Sequence, residues 1–209
     1  MAKPTTYIAK TIFMVTCLTL GCTSSGALGC GSSGNEGPSV DTELLGIYQI
    51  TRYQRSQNGC DQMMDVSGTS RLALYSVPST GDPDQALLVG RFCGSVDDCR
   101  ARVTNLATIG ANYSFFQGSD AGGWIGWAIP GEGGMAGDQC RVEVQTHTLT
   151  SSSNQAIRID TRQVETIFMG EVDANNNATC TFRDAIAAVN DESPCTAMFL
   201  LEATFETSL

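Results

Sequence analysis

Lysine is almost missing from this chain. Lys3 and Lys10 are the only two, both in the first ten residues, and every later positive side chain is an arginine. Beyond position 21, ten arginines face 22 acidic residues, a net charge of about −12 with no basic stripe. Such a balance repels nucleic acid, so no nucleic-acid partner is expected. A single histidine, His147, is present, and no Gly-x-Ser-x-Gly turn accompanies it. A nucleophile triad is therefore not expected, because its base needs a nucleophile and an orienting partner. No Cys-x-x-Cys pair occurs, which removes the closely spaced ligands of structural zinc sites, and neither metal nor cofactor is expected. Phosphate-cradling glycine loops are lacking too. The carboxylate pairs read as local structure, with Asp97-Asp98 in a helix's first turn and Asp191-Glu192 in a solvated loop.

Long apolar runs are also lacking. The only marked one, Ile12 to Leu20, follows the positive charge of Lys3 and Lys10 and is shorter than the roughly 20 residues a membrane span needs. Positive start, short apolar core and small Gly21 together read as an export signal over 1–21. The stretch Leu18-Thr19-Leu20-Gly21-Cys22 resembles the lipobox of bacterial lipoproteins. That family most often has Leu three before the cysteine and a small residue two before, where this chain has Thr19 and Leu20. The resemblance implies cleavage before Cys22 and acylation of its thiol and new amine, anchoring the chain to a membrane with no spanning helix. By resemblance to enteric sorting, Thr23 after that cysteine implies the outer membrane. Two alternatives stay open, lipidation at Cys30 in Ala27-Leu28-Gly29-Cys30 and plain cleavage of a soluble secreted protein. Cys17 lies inside the apolar core and is discarded with it.

Residues 22–40 are dominated by Gly and Ser, the composition of a flexible tether. The remaining 41–209 suffice for one domain with its own core. Its six cysteines, at 60, 93, 99, 140, 180 and 195, read as disulfides formed outside the reducing cytosol. Helical side chains lean toward the N-terminus, so Cys99 is expected to reach back to Cys93. Cys180 with Cys195 would bracket a helix, and Cys60 with Cys140 follows by elimination.

Strand signals dominate this domain. Alternation predicts strands over 46–55, 71–77, 86–93, 113–117 and 123–129, a hairpin of 140–149 with 156–168, and a final strand over 196–206 with Ala197, Phe199, Leu201, Ala203 and Phe205 on one face. In the hairpin, Cys140, Val142, Val144 and Thr146 share a face opposite Arg141, Glu143, Gln145 and His147, which puts the histidine on the polar side. Ile157 and Ile159 have the opposite parity to Val164, Thr166 and Phe168, and a bulge near Arg162 would reconcile them. Two short helices are expected, one capped by Ser95 with Val96, Cys99, Val103 and Leu106 inward, the other capped by Thr181 with Phe182, Ile186 and Val189 inward. The fold class is thus mainly β, an antiparallel barrel or sandwich of about eight strands with two short helices as plugs, stabilised by disulfides.

Residues 180–190, CTFRDAIAAVN, resemble the CSLREA motif of repetitive bacterial surface proteins. The likeness implies a surface context; that family's parallel β-helix is not expected, since no repeat array follows. Asp173, Asn175, Asn177 and Asp184 have calcium-loop spacing, but Ala178 replaces the turn glycine, and the segment reads as an Asn-rich turn before a helix. Trp124 and Trp127 stand three apart in SDAGGWIGWAIPGEGG and would point to opposite faces of a strand, one inward and one available for a ligand. In the alternative reading both are core, with Ile125 and Ile129 buried beside them.

Three functions are compatible with this sequence. One is a non-catalytic envelope lipoprotein that binds a glycan or protein through the tryptophan stretch. Another is a carrier of a small apolar ligand, since Gly46-Ile47-Tyr48 loosely resembles the Gly-x-Trp start of the lipocalins, which are eight-stranded barrels. An enzyme without a legible motif is the third.

Overall fold

The computed structural model describes residues 40, 42–68, 70–79, 85–104, 111–130, 134–136, 139–153, 155–172, 178–190 and 192–209. The chain divides after Asn35 into two units, and all described residues belong to the second. Cys22, Cys30, Leu106 and the Asn175–Asn177 turn lie outside the described residues.

Eight antiparallel strands close into a barrel. They are β1 (Gly46–Asn58), β3 (Arg71–Pro78), β4 (Ala86–Cys93), β5 (Tyr113–Ser119), β6 (Gly123–Ala128), β8 (Gln139–Ser153), β9 (Ala156–Met169) and β12 (Cys195–Thr207). Each pairs with the next, and β12 returns to β1, which abolishes the open edges of a sandwich. Short β2 (Asp61–Asp65) extends β1, β7 (Gly134–Ala136) pairs with β8, and β10 (Glu171–Val172) with β11 (Ala178–Thr179) form a separate ribbon. Alternation placed every barrel strand, but these four short strands carry too few residues to show it.

The barrel is filled. Tyr48, Leu72, Leu74, Leu88, Phe115, Leu149, Ile159 and Leu201 are fully buried in one cluster. Each such side chain contributes about 1.5–3 kcal/mol relative to exposure. At the end where β1 starts, the entering chain covers the interior: Val40 N–H donates to Ser76 Oγ, and buried Leu44 accepts from the Tyr48 hydroxyl on its carbonyl. Val40, counted with the tether by composition, packs against the core. Asp120, in the β5–β6 turn, fastens this lid by accepting from Thr42 Oγ1, Glu43 N–H and Trp124 Nε1 at 2.5, 2.8 and 3.0 Å. Partial burial pushes the Asp120 pKa up, yet these donors outweigh it and hold the carboxyl below its ordinary range.

Neither helix plugs the barrel. Helix α1 (Val96–Thr104) lies on the outer wall over Ile47, Ala73, Tyr75 and Val89, residues whose parity is opposite to inward Leu72 and Leu74. Helix α2 (Phe182–Ala187) covers Cys140, Val142, Val144 and Val164 in the same manner. Both caps form as expected, Ser95 Oγ accepting from Asp98 N–H at 3.1 Å and Thr181 Oγ1 from Asp184 N–H at 3.2 Å.

This arrangement corrects the bulge expected near Arg162. Pairing of β8 with β9 runs unbroken through His147 opposite Thr161 and Val144 opposite Val164. The buried face changes instead. Around Leu149 and Ile159 the inner face is covered by the barrel core, while around Val142 and Thr166 the outer face is covered by α2.

Three cysteine pairs stand at disulfide distance: Cys93–Cys99, Cys140–Cys180 and Cys60–Cys195, with Cα separations of 5.2, 5.7 and 5.8 Å. The first is the expected pair and fixes α1 to the end of β4. The others correct the expected Cys180–Cys195 and Cys60–Cys140. Helix α2 packs flat on β8, which brings Cys180 onto Cys140. The turn after β1 reaches the start of β12, where Gly59 bridges Ala197, and so Cys60 meets Cys195.

Candidate functional site

The two tryptophans separate as strand alternation requires. Trp124 faces inward opposite Leu149, is 7% exposed, and belongs to the closed end of the core. Trp127 faces outward opposite Thr146, partly exposed, with its ring stacked on Phe116 at 5.9 Å between centroids and 23° between planes. Ile125, expected to be buried, is 45% exposed on the same wall, and Phe116 is 44% exposed. A bulge between Phe115 and Gln117 inserts Phe116 into β5 as the extra residue. Gly126 permits this close approach, since a Cβ there would run into the Ser114 carbonyl. Around the ring pair the strand neighbours are uncharged: Thr146, Thr148, Gln117 and Ser114. Trp127 and Phe116 therefore form an apolar platform edged by hydroxyl and amide groups.

A second concavity opens inside the barrel, at the end opposite the lid, and sequence reasoning missed it. Tyr53 of β1, Phe92 of β4, Tyr113 at the start of β5 and Phe199 of β12 wall a cavity of about 150 Å³, with Gln145 and Thr161 on its polar side and Asn112 among its lining residues. Tyr53 to Phe92 is 5.5 Å between centroids and Phe92 to Tyr113 is 5.7 Å at 80°. Such edge and tilted contacts are the favoured geometries of aromatic pairs. Arg55 lies over the Phe199 ring at 5.3 Å.

Behind this cavity sits His147. It is 1% exposed, its Nδ1 lies 2.9 Å from Thr161 Oγ1, its ring meets Tyr113 edge-on at 5.1 Å, and its Nε2 has no hydrogen-bond partner. The expected polar-face histidine is thus an interior one. Burial disfavours the imidazolium and lowers the pKa from 6.5 to about 4, so the ring is neutral at neutral pH. Burial likewise raises the Tyr113 and Tyr53 pKa values, and the interaction between the two hydroxyls raises that of Tyr113 further and partly offsets the rise at Tyr53. The cavity is lined by neutral groups. Its legible signal was parity: His147 shares it with Leu149, and paired Thr161 shares it with Ile159 and Ile157.

Larger depressions of about 410 and 670 Å³ lie near the β8–β9 turn, lined largely by Thr and Ser with Arg158 and Glu202, and along β1 beside β2, where Arg52, Asp65 and Glu202 are among the lining residues. Ion pairs Arg158–Asp160, Arg158–Glu202 and Arg52–Glu202 cross this outer wall at 2.7, 3.6 and 3.8 Å. Charges there suit water; each arginine would cost about 2–4 kcal/mol at a bilayer midplane, and each carboxylate less. No described helix is long and apolar enough to cross a membrane. Fold and surfaces together define a disulfide-bonded, filled eight-stranded barrel with an outer aromatic platform and a small aromatic mouth. No protein-family model, curated protein or solved structure matches the chain.

Proposed function

We propose that this chain is a non-catalytic lipoprotein of the bacterial cell envelope, held at the outer membrane by lipid on Cys22, whose barrel binds a neutral glycan on the Phe116–Trp127 platform. The observation that carries the binding role is the stacked, part-exposed ring pair among uncharged hydroxyl and amide side chains. Sugars present C–H faces edged by hydroxyls, and an aromatic face with polar neighbours complements both. Three cysteine pairs at disulfide distance support an oxidising compartment. The alternative, a lipocalin-like carrier that holds a small apolar ligand in a deep central cavity, fits less well. The interior is occupied by Leu and Ile side chains, and the mouth is below the roughly 300–1,000 Å³ of ordinary ligand pockets.

The test is a glycan screen read by tryptophan fluorescence on a Trp124→Phe background, where Trp127 is the sole emitter. A bound glycan should change that emission, and Trp127→Ala or Phe116→Ala should weaken binding about 10-fold or more. Glycan affinity untouched by Trp127→Ala would place the site elsewhere. Binding to a protein and to no glycan, still dependent on Trp127, would replace the ligand class. Robust turnover of an ester, glycoside or peptide would overturn the non-catalytic reading.

A further inference from the structure

We infer that the barrel mouth is a binding site for a small, neutral, monocyclic aromatic molecule carrying one hydrogen-bonding group, the chemistry of a phenol. This site is separate from the outer platform and does not depend on it. Tyr53, Phe92, Tyr113 and Phe199 reach it from four strands that the closed barrel holds at fixed spacing, so its shape is set before any ligand arrives. A cavity of about 150 Å³ matches the volume of one benzene-sized ring. Four aromatic walls favour a ring over an aliphatic chain of equal volume, through edge and offset contacts.

Polarity selects the substituent. Gln145 and Thr161 lie on one side of the cavity, in adjacent strands, and both belong to hydrogen-bonded chains: Gln145 Nε2 donates to Gln163 Oε1 at 2.8 Å, and Thr161 Oγ1 holds His147 Nδ1. A hydroxyl on the ligand can join the spare acceptor capacity of these side chains, since an amide oxygen and a hydroxyl oxygen each take two bonds. Charge is disfavoured because the residues that line the cavity are uncharged and offer a buried ion no partner. His147, 1% exposed with its Nε2 unpartnered, lies behind the Tyr113 and Thr161 walls. As the single histidine, it reports on the site with one imidazole signal.

Phenol, benzene and benzoate are the probes, titrated into the oxidised protein while the His147 imidazole resonance is followed by NMR. Phenol should shift that resonance saturably with a dissociation constant of about 1 mM, near what seven heavy atoms at ordinary ligand efficiency supply. Benzene should bind about 10-fold more weakly and benzoate should not bind. Gln145→Trp, which fills the mouth, should abolish the phenol shift with the circular dichroism unchanged. If that variant misfolds, contacts between phenol ring protons and Tyr113 or Phe199 in the wild-type protein decide the matter. Absence of a saturable phenol shift in the wild type, or benzoate binding as tightly as phenol, would overturn the assignment.

Discussion

Replacing Cys60 and Cys195 together by alanine should destabilise the domain by about 5 kcal/mol, the largest effect expected of any pair of substitutions here. The bond spans a sequence separation of 135 residues, and in the chain-entropy account a cross-link of that length removes about that much freedom from the unfolded chain. The turn after β1 meets the start of β12 through the Gly59–Ala197 bridge and the bond from Met198 N–H to Ser56 Oγ at 2.7 Å, so the same cross-link secures the seam where first and last strands close the barrel. Cys140–Cys180 closes 40 residues and should be worth about 4 kcal/mol, and Cys93–Cys99 closes 6 and should be worth about 2 kcal/mol. Urea unfolding of the three double-alanine variants gives the order directly. A Cys60/Cys195 variant more stable than the Cys93/Cys99 variant would contradict the topology described.

Acid should weaken the barrel in part through one buried residue, His147. His147 has a pKa of about 4 in the folded chain against 6.5 when free, because burial excludes the imidazolium. As pH falls through 6.5 the unfolded chain takes up a proton that the folded chain refuses, and stability drops until the folded ring also protonates near pH 4. The difference is about 3 kcal/mol between pH 7.5 and pH 4, at 1.36 kcal/mol per unit. Thr161, Tyr113 and Phe115 lie against the ring, and none of them is charged, so none can compensate the imidazolium. His147→Phe keeps the interior volume and removes the titration. Denaturation at both pH values should show the wild type losing about 3 kcal/mol more than this variant. Carboxylates held low by partners, such as Asp98 beside Arg102 and Glu206 beside Arg71, act in both proteins alike and cancel from the comparison. Equal acid losses in the two proteins would place a charged or solvated histidine where a buried neutral one is described.

How far the sequence carried is clearest along the β8–β9 hairpin. Its strands were legible because apolar and polar residues alternate along each. What alternation could not say is which side is covered. Parity changes on both strands at the same paired level, between Val144–Val164 and His147–Thr161, and a bulge would change it on one strand alone. Read together, the two changes mean that one sheet surface is buried at one end of the hairpin and the opposite surface at the other. Read singly, they put His147 outside and hid the mouth it supports. Cysteine pairing was illegible for a related reason. Cys93 and Cys99 are joined by local helix geometry, whereas Cys60, Cys140, Cys180 and Cys195 are brought together only by barrel closure and by the seat of α2. The separation of Trp124 from Trp127 needed only the two-residue period, and the structure shows the same division.

Lipidation decides whether this barrel works where the reading places it. Cells expressing the full chain and fed labelled palmitate should incorporate label into the protein, Cys22→Ser should abolish incorporation, and Cys30→Ser should leave it unchanged. Label that survives Cys22→Ser, or a mature protein that carries none, would contradict an envelope lipoprotein anchored at Cys22.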